Sequence, residues 1–161
     1  MTIMSITINP STELLTNDQK EMLYFIYQGK KAARDIFITF AEIYKDENRF
    51  ALIQFSRQRH MDCARELCEI YGVETSQIDE SRIGKLESPV LQAVYDACIE
   101  KGNKSIHDAL EVAAFLEATE IQDLEHASVG MPDHVVHVYE NIKKRHQRHL
   151  GAFQAALFNA A

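Results

Sequence analysis

The amino-acid sequence predicts an all-α protein built from four long helices and one short helix. In four separate stretches, apolar residues recur at steps of three and four, which is the spacing of one helical face. Residues typical of helix starts and stops flank these stretches. The 161 residues include only 6 Gly and 3 Pro. An all-β chain, with a tight turn about every 8–12 residues, would need more of both.

The first predicted helix begins near Thr16 and ends near Tyr44. Thr16 and Gln19 have the spacing of a capping box, in which each side chain accepts a hydrogen bond from the other residue's backbone. Its apolar face comprises Met22, Ile26, Ala33, Phe37, Phe40 and Tyr44. The second helix is predicted from about Arg49 to Tyr71, where Gly72 is a favourable stop. Its apolar face comprises Phe50, Ile53, Ala64, Leu67 and Tyr71.

A long connection is predicted after the second helix. Residues 73–87 are rich in polar and turn-forming residues and show no helical period. Ser88 and Pro89 then begin a short helix, as N-cap and first helical residue, and Gly102 ends it. In a helical bundle, a connection of this length lets the chain cross from one end of the molecule to the other.

Two further long helices follow. Ser105 caps the first of them, and its apolar residues are Ile106, Ala109, Leu110, Ala113, Ile121 and Leu124. Residues 125–132 are predicted as a loop, and the last helix as running from Asp133 to about Phe158. Its apolar residues are Val135, Val138, Tyr139, Ile142, Phe153 and Ala156. A four-helix bundle with a long crossover after its second helix is the simplest way to bury four such stripes.

Composition limits the classes of partner and the domain organisation. We expect an N-terminal tail at residues 1–13 and a single domain over residues 14–161. A net charge of −7 argues against nucleic acid as a partner, and the absence of a long apolar run argues against a membrane. Three cysteines without a Cys-x-x-Cys pair, and no signal-peptide pattern, favour a cytoplasmic protein.

Each long helix carries polar side chains at mid-length on its apolar face. They are Lys30 on the first helix, Arg57 and His60 on the second, Glu117 with its neighbour Glu120 on the third, and His146 and His149 on the last. Taken singly, each is expected at the solvated edge of its stripe, and a lone lysine extends to the surface. Because they recur at one height on helices that pack together, they predict a shared polar cluster in the core. The cluster either performs chemistry or sets the packing.

The sequence also resembles a bacterial and archaeal ferritin-like domain family that is distantly related to the rubrerythrins. The resemblance extends over residues 14–158. It rests on Leu23-Tyr24, Lys31-Ala32-Ala33-Arg34-Asp35, Gln58-Arg59-His60-Met61-Asp62, Tyr71-Gly72, Glu117 with Ile121-Gln122-Asp123-Leu124, Tyr139-Glu140-Asn141, and His149-Leu150-Gly151-Ala152-Phe153. It implies a ferritin-like four-helix bundle descended from di-iron proteins. Such bundles bind iron through a Glu from each of two helices and a Glu-x-x-His from each of the other two.

Two positions depart from that pattern. The family has glutamates just before Lys31, where this chain has Gln28-Gly29-Lys30, and a glutamate three residues before His60, where it has Arg57. Replacing two carboxylates by two cations shifts the local charge by about four units, the charge of two divalent ions. The resemblance therefore implies a degenerate di-iron site, in which Lys30 and Arg57 replace ligands and pair with glutamates of the third long helix.

The prediction for cofactors is therefore no metal or a single iron, manganese or zinc ion, rather than a full di-iron centre. The candidate ligands of a single ion are His60, Glu117, Glu120, His146 and His149. The positive charges of Lys30 and Arg57 would weaken cation binding at that place.

The predicted function is a binding or structural role for a ferritin-like bundle with a degenerate core site. Whether the chain is an enzyme is left open. One alternative is a mononuclear metal oxidoreductase that acts on oxygen or peroxide. Another is a helical interaction module, in which the polar cluster only sets the register of the helices. The expected partner is a small molecule or a protein, and a homodimer stays open.

Overall fold

The computed structural model describes residues 14–159 and contains five helices. They are α1 (Asn17–Ile43), α2 (Asn48–Ile70), α3 (Pro89–Gly102), α4 (Ile106–Ala127) and α5 (Asp133–Asn159). No strand occurs among these residues, so the all-α prediction is confirmed. The predicted N-terminal tail lies outside the described residues. None of the described helices is both long and apolar enough to cross a membrane.

The predicted capping signals act locally. Thr16 Oγ1 accepts a hydrogen bond from the Gln19 backbone N–H at 3.2 Å, and Gln19 Oε1 accepts one from the Thr16 N–H at 2.8 Å. At the starts of α3 and α4, Ser88 Oγ accepts a hydrogen bond from the Leu91 backbone N–H and Ser105 Oγ accepts one from the Asp108 backbone N–H. Gly72, with φ of 70°, follows α2 in the left-handed region that favours glycine. These caps explain why the helix starts agree with the sequence prediction to within about two residues.

Two details differ from the prediction, both in α4. This helix continues to Ala127, through residues 125–127 that were predicted as loop. Leu124 and Ala127 are both buried in the core, and packing of the last turn extends the helix beyond its local signals. Ile106, predicted on the apolar face, is 41% exposed because it is the first residue of the helix, at the edge of the core.

The long helices pack as two antiparallel pairs. α1 packs along α2 and α4 along α5, while α3 packs against α1 and α4. The N-terminal half of α1 shares one apolar cluster with the C-terminal half of α2, so these two helices run in opposite directions. The connection between α2 and α3 begins at the end where α2 packs on the start of α1, reaches Asp35 of α1 through Gly84, and leads to α3, whose Cys98 packs with the C-terminal half of α1. It therefore runs from one end of the molecule towards the other.

The core consists of two apolar clusters, one at each end of the long helices. The first contains, among others, Leu23, Ile26, Tyr27, Met61, Leu67, Leu124, Val135, Tyr139 and Ile142. The second contains, among others, Ile36, Phe37, Phe40, Phe50, Leu110, Ala113, Leu116 and Phe153. Along α1, for example, Lys30 lies between Tyr27 of the first cluster and Ile36 of the second. The middle of the core is therefore the place where polar residues meet.

Candidate functional site

A layer of ionisable side chains separates the two apolar clusters. We call it the core charged layer, and it consists of Lys30, Arg57, His60, Glu117, Glu120, His146 and His149. α1, α2, α4 and α5 each contribute to it. All of its members are buried except His149, whose side chain is 19% exposed at the rim. Burial of this many ionisable groups requires that they pair with one another.

Arg57 joins the two glutamates of α4. Its Nη1 donates to Glu120 Oε2 and its Nη2 donates to Glu117 Oε1, so one guanidinium spans both carboxylates. Its Cζ lies 4.4 Å from the centre of the Phe37 ring, in a cation–π contact. Burial by itself would lower the pKa of Arg57, but the charges of Glu120 and Glu117 outweigh it and raise that pKa. The guanidinium is therefore charged and held from two sides.

Lys30 is the second buried cation. Its Nζ donates to Glu120 Oε1 at 2.9 Å and lies 2.8 Å from His146 Nε2. An ammonium has only donors, so His146 Nε2 accepts and the ring proton is on Nδ1. That Nδ1 lies 2.6 Å from Glu117 Oε2 and donates to it. Burial lowers the pKa of Lys30 against the attraction of Glu120, and burial likewise lowers the pKa of His146.

The two carboxylates are ionised at neutral pH. Burial would raise the pKa of Glu117, but the charge of Arg57, the hydrogen bond from His146 and the nearby His149 ring bring it down to about 2. The pKa of Glu120 is also lowered, because the charges of Arg57 and Lys30 outweigh burial. The two carboxylates match in number the two side-chain cations that contact them, Lys30 and Arg57. These four side chains therefore pair their charges without any further ion.

Two histidines complete the layer on the side of α2 and α5. The His60 ring centre lies 4.9 Å from that of His146, and its Nδ1 is buried without a hydrogen-bond partner. Burial, with the neighbouring His146 and Lys30, lowers the pKa of His60 to about 2, so this ring is neutral. His149 Nδ1 lies 3.4 Å from Glu117 Oε1.

The residues present do not fit a di-iron centre. Two hard cations need several carboxylates as bridging and terminal ligands. Among the described residues, the layer offers Glu117 and Glu120, and both are already bound by side-chain cations. Within residues 14–159, one group of donors suits a single ion: atoms of Glu117, His146 and His149 all lie within 4.8 Å of one another. Two histidines and one carboxylate are a common ligand set for zinc or iron.

The structure brings all seven residues singled out in the sequence into one cluster. Lys30, which is expected at the surface when considered alone, is only 3% exposed. Glu120, noted in the sequence only as the neighbour of Glu117, contacts both Lys30 and Arg57.

A second buried charged cluster was missed by the sequence argument. Asp35 is fully buried, and its Oδ2 accepts hydrogen bonds from Lys31 Nζ at 2.6 Å and from the Gly84 backbone N–H at 3.0 Å. Its Oδ1 accepts from Arg34. Lys31 also donates to backbone carbonyls of the α2–α3 connection. The i,i+4 spacing of Lys31 and Asp35 was a signal for the pair, but not for its burial.

Comparisons with known proteins place the chain in a family. Residues 19–160 match the family model described as "Uncharacterized protein domain (DUF2202)". The uncharacterized protein MJ0754 of Methanocaldococcus jannaschii is 34% identical over 147 residues, which is 90% of this chain and 78% of that protein.

The similarity extends to three dimensions. A crystal structure of the hypothetical protein MJ0754 from Methanococcus jannaschii matches with a TM-score of 0.86 at 32% identity. The match covers 92% of this chain and 84% of that chain. From the family match over residues 19–160 and the agreement with this relative in sequence and fold, we conclude that the chain belongs to the DUF2202 family.

Proposed function

We propose that the protein is a ferritin-like four-helix bundle in which side-chain cations take the place of metals, and that it has a structural or binding role rather than di-iron chemistry. The observation that carries this proposal is the contact of the Arg57 guanidinium with both Glu117 and Glu120. In a di-iron bundle, carboxylates in the middle of the core hold cations. In this protein the carboxylates of Glu117 and Glu120 also hold a cation, but that cation is the side chain of Arg57 rather than a metal ion.

Charge balance supports the absence of a di-iron centre. A metal ion entering between the two glutamates would meet the positive charges of Arg57 and Lys30 at hydrogen-bond distance from the same oxygens. It would have to displace both cations into an apolar core, where an unpaired charge is strongly unfavourable. The layer also joins side chains of α1, α2, α4 and α5, which supports a role in setting the relative heights of the helices.

The double variant Lys30→Glu, Arg57→Glu tests this proposal. It restores two oxygen ligands and removes two competing positive charges, so its affinity for iron or manganese should rise. Metal content and melting temperature are measured with and without each metal. A metal at about 100 times its Kd should stabilise the variant by about 2.7 kcal/mol. The matched control is Arg59→Glu, Lys144→Glu, which makes the same charge change at exposed positions of α2 and α5.

Two results would contradict the proposal. One is two metal ions per chain in the native protein, which would mean that the cations do not replace metals. The other is a double variant that folds but gains no more metal and no more thermal stability than the exposed control, because net charge rather than the site would then account for any metal that it binds.

A second candidate function is a mononuclear metal oxidoreductase that acts on oxygen or peroxide. It is favoured by the convergence of Glu117, His146 and His149 within 4.8 Å. Binding would need His146 Nδ1 to give up its hydrogen bond to Glu117, or His146 Nε2 to give up Lys30. Titration of the native protein with zinc, iron(II) and manganese(II) tests it. His149→Ala should abolish stoichiometric binding, while the exposed-site control His137→Ala should leave it unchanged.

A further inference from the structure

We propose that the outward side of α2 binds a second copy of this chain, with the two α2 helices antiparallel across a two-fold axis. The surface consists of Phe55, Arg59, Glu66 and Ile70, and we call it the outer α2 face. All four residues are exposed. Steps of four and seven residues keep side chains on one side of a helix. The residues that α2 buries in the core, such as Met61, lie away from this side.

The outer α2 face carries apolar side chains that remain exposed in a single copy. Phe55 is 73% exposed, Leu52 three residues before it is 70% exposed, and Ile70 is exposed at the other end of the face. α2 packs mainly along α1 and only lightly against α5, which leaves its outward side open. Single exposed apolar residues are common on monomers. The identity of the partner therefore follows from the charged residues that lie between them.

Arg59 and Glu66 have no charged partner in their own copy. Neither forms an ion pair within residues 14–159, although Arg65 on the same helix contacts both Asp62 and Glu69. Seven residues span about 10 Å along a helix, which is too far for Arg59 and Glu66 to pair with each other. The face therefore presents one unpaired charge of each sign.

The order of residues along α2 fits a two-fold axis. Residues 59 and 66 are centred on a point between residues 62 and 63, and residues 55 and 70 are centred on the same point. When a second α2 lies antiparallel about that point, each Arg59 lies opposite Glu66 of the other copy, and each Phe55 lies opposite its Ile70. A single register therefore forms two ion pairs and two apolar contacts. A C2 dimer requires a self-complementary surface of this kind.

A second copy fits this face better than other partners do. A parallel pair of α2 helices would place Arg59 against Arg59 and Glu66 against Glu66, and like charges repel. A basic or an acidic macromolecule would match one of the two charges and be repelled by the other. Because each copy contributes a single helix, the interface is small, and we expect a Kd of about 10–100 μM for the dimer.

Charge reversal tests the two-fold arrangement, with sedimentation velocity as the measurement. Arg59→Glu places two glutamates opposite each other at both ion pairs, and Glu66→Arg does the same with two arginines. Each variant alone should weaken the dimer by about tenfold or more. An equimolar mixture of the two variants should form a heterodimer with nearly the native affinity, because every contact then joins opposite charges. A rearrangement within one chain could not produce that recovery.

The matched controls are Lys104→Glu and Glu100→Arg, which make the same kinds of charge change at exposed positions near the end of α3. Both should dimerise with native affinity, alone and when mixed. At about 1 μM protein, well below the expected Kd, the chain is a monomer. Arg59→Glu and Glu66→Arg should then unfold like the native protein, because both residues are exposed in the single copy.

Phe55→Ser tests the apolar part of the interface. It should weaken the dimer by about tenfold or more, because both copies lose the contact of the phenyl ring with Ile70. Phe115→Ser is the matched control. Phe115 is an exposed residue of α4, outside the outer α2 face, and its replacement should leave the Kd unchanged.

The proposal is overturned if the native protein is monomeric at about 300 μM. It is also overturned if mixing Arg59→Glu with Glu66→Arg restores no more dimer than either variant forms alone, or if Phe115→Ser weakens the dimer as much as Phe55→Ser. Metal content does not enter any of these measurements, so their outcome is separate from that of the function proposed above.

Discussion

Arg57 is the residue on which the core charged layer depends most directly. It is 1% exposed and the only cation of the layer that touches both glutamates. The planar guanidinium has donors in fixed directions on two nitrogen atoms and can bind two carboxylates at once. An ammonium group has a single nitrogen and cannot reproduce this geometry. Removing it would leave two buried carboxylates with Lys30 as their remaining cation.

We predict that Arg57→Ala destabilises the fold by about 3–5 kcal/mol, because breaking a buried pair leaves an uncompensated charge. Arg59→Ala is the matched control on the same helix. Arg59 is exposed, and its loss should change stability by less than about 0.5 kcal/mol. Urea unfolding measures both free energies. Indistinguishable unfolding curves for the two variants would contradict the buried pairing.

His60 links the layer to pH. Its pKa is about 2 in the folded protein against the usual 6.5, chiefly because of burial. Between those values the unfolded chain binds a proton that the folded chain does not, so stability falls as the pH falls below about 6.5. Glu117, with a pKa of about 2 against the usual 4.5, adds a further loss of stability below about pH 4.5.

We therefore predict that His60→Gln flattens the pH dependence of stability. Each histidine that stays neutral in the fold contributes a slope of about 1.4 kcal/mol per pH unit below its unfolded pKa. Unfolding free energies are measured between pH 5 and pH 6.5. Their slope against pH should be smaller in His60→Gln than in the native protein, by the amount that corresponds to about one fewer proton taken up on unfolding. His137→Gln, at an exposed position, serves as the control and should keep the native slope. An unchanged slope for His60→Gln would mean that this ring is not held neutral.

At the scale of elements, the α2–α3 connection is attached to α1 by buried charges. Asp35 accepts from Lys31, Arg34 and the Gly84 backbone, and Lys31 reaches two more backbone carbonyls of the connection. Arg34 also donates to the Glu80 carbonyl. These bonds satisfy backbone groups of a segment that lacks regular structure, which would otherwise need water. The connection is therefore part of the packed structure.

We predict that Asp35→Ala loosens this connection. The change leaves Lys31 and Arg34 buried without their carboxylate, and a loss of about 3–5 kcal/mol is expected. Limited proteolysis should show new cleavage within residues 72–88 before the rest of the chain is cut. Asp46→Ala, at an exposed position between α1 and α2, should resist protease like the native protein. Cleavage that begins elsewhere in Asp35→Ala would contradict the role of Asp35 as an anchor.

At the scale of the whole molecule, the layer divides the core into two apolar clusters that share the same helices. An all-apolar interior would bind the helices together without distinguishing their relative heights. Hydrogen bonds between specific side chains do distinguish the relative heights of the helices. If one helix moved along its neighbour by one turn, Lys30 would separate from Glu120 or Arg57 from Glu117. We therefore expect the layer to contribute to the specificity of helix packing more than to stability.

This leads to a prediction for the five residues of the layer that hydrogen-bond to one another, Lys30, Arg57, Glu117, Glu120 and His146. Replacing the two cations and the two carboxylates by Met, and His146 by Leu, should leave the protein as stable as the native chain or about 1–4 kcal/mol more stable. The helices are expected to keep a cooperative unfolding transition, measured by denaturant midpoint and slope. Single replacements should each lose stability. If the complete replacement lost as much as the sum of the singles, the layer would be a net source of stability.

Much of the local structure follows from the sequence. The capping box at Thr16, the N-caps at Ser88 and Ser105 and the apolar periodicity predict the five helices, because these signals act within a turn or two. The same periodicity identifies the polar residues that interrupt each apolar face. The end of α4 was predicted less well, because burial of Ala127 extends a helix that local signals would end earlier.

What the sequence determined by itself is therefore which residues share a helical face, since helix geometry relates residues only three or four positions apart. The resemblance to di-iron proteins leads us to expect that Lys30 pairs with a glutamate of the third long helix. The tertiary structure alone decided that the partner in direct contact is Glu120, 90 positions away, and that Asp35 accepts from Gly84. Whether a charged side chain extends to water or enters the core depends on the partner that another helix brings to it. Partners distant in the chain are set by the packing of whole helices, and no local pattern specifies them.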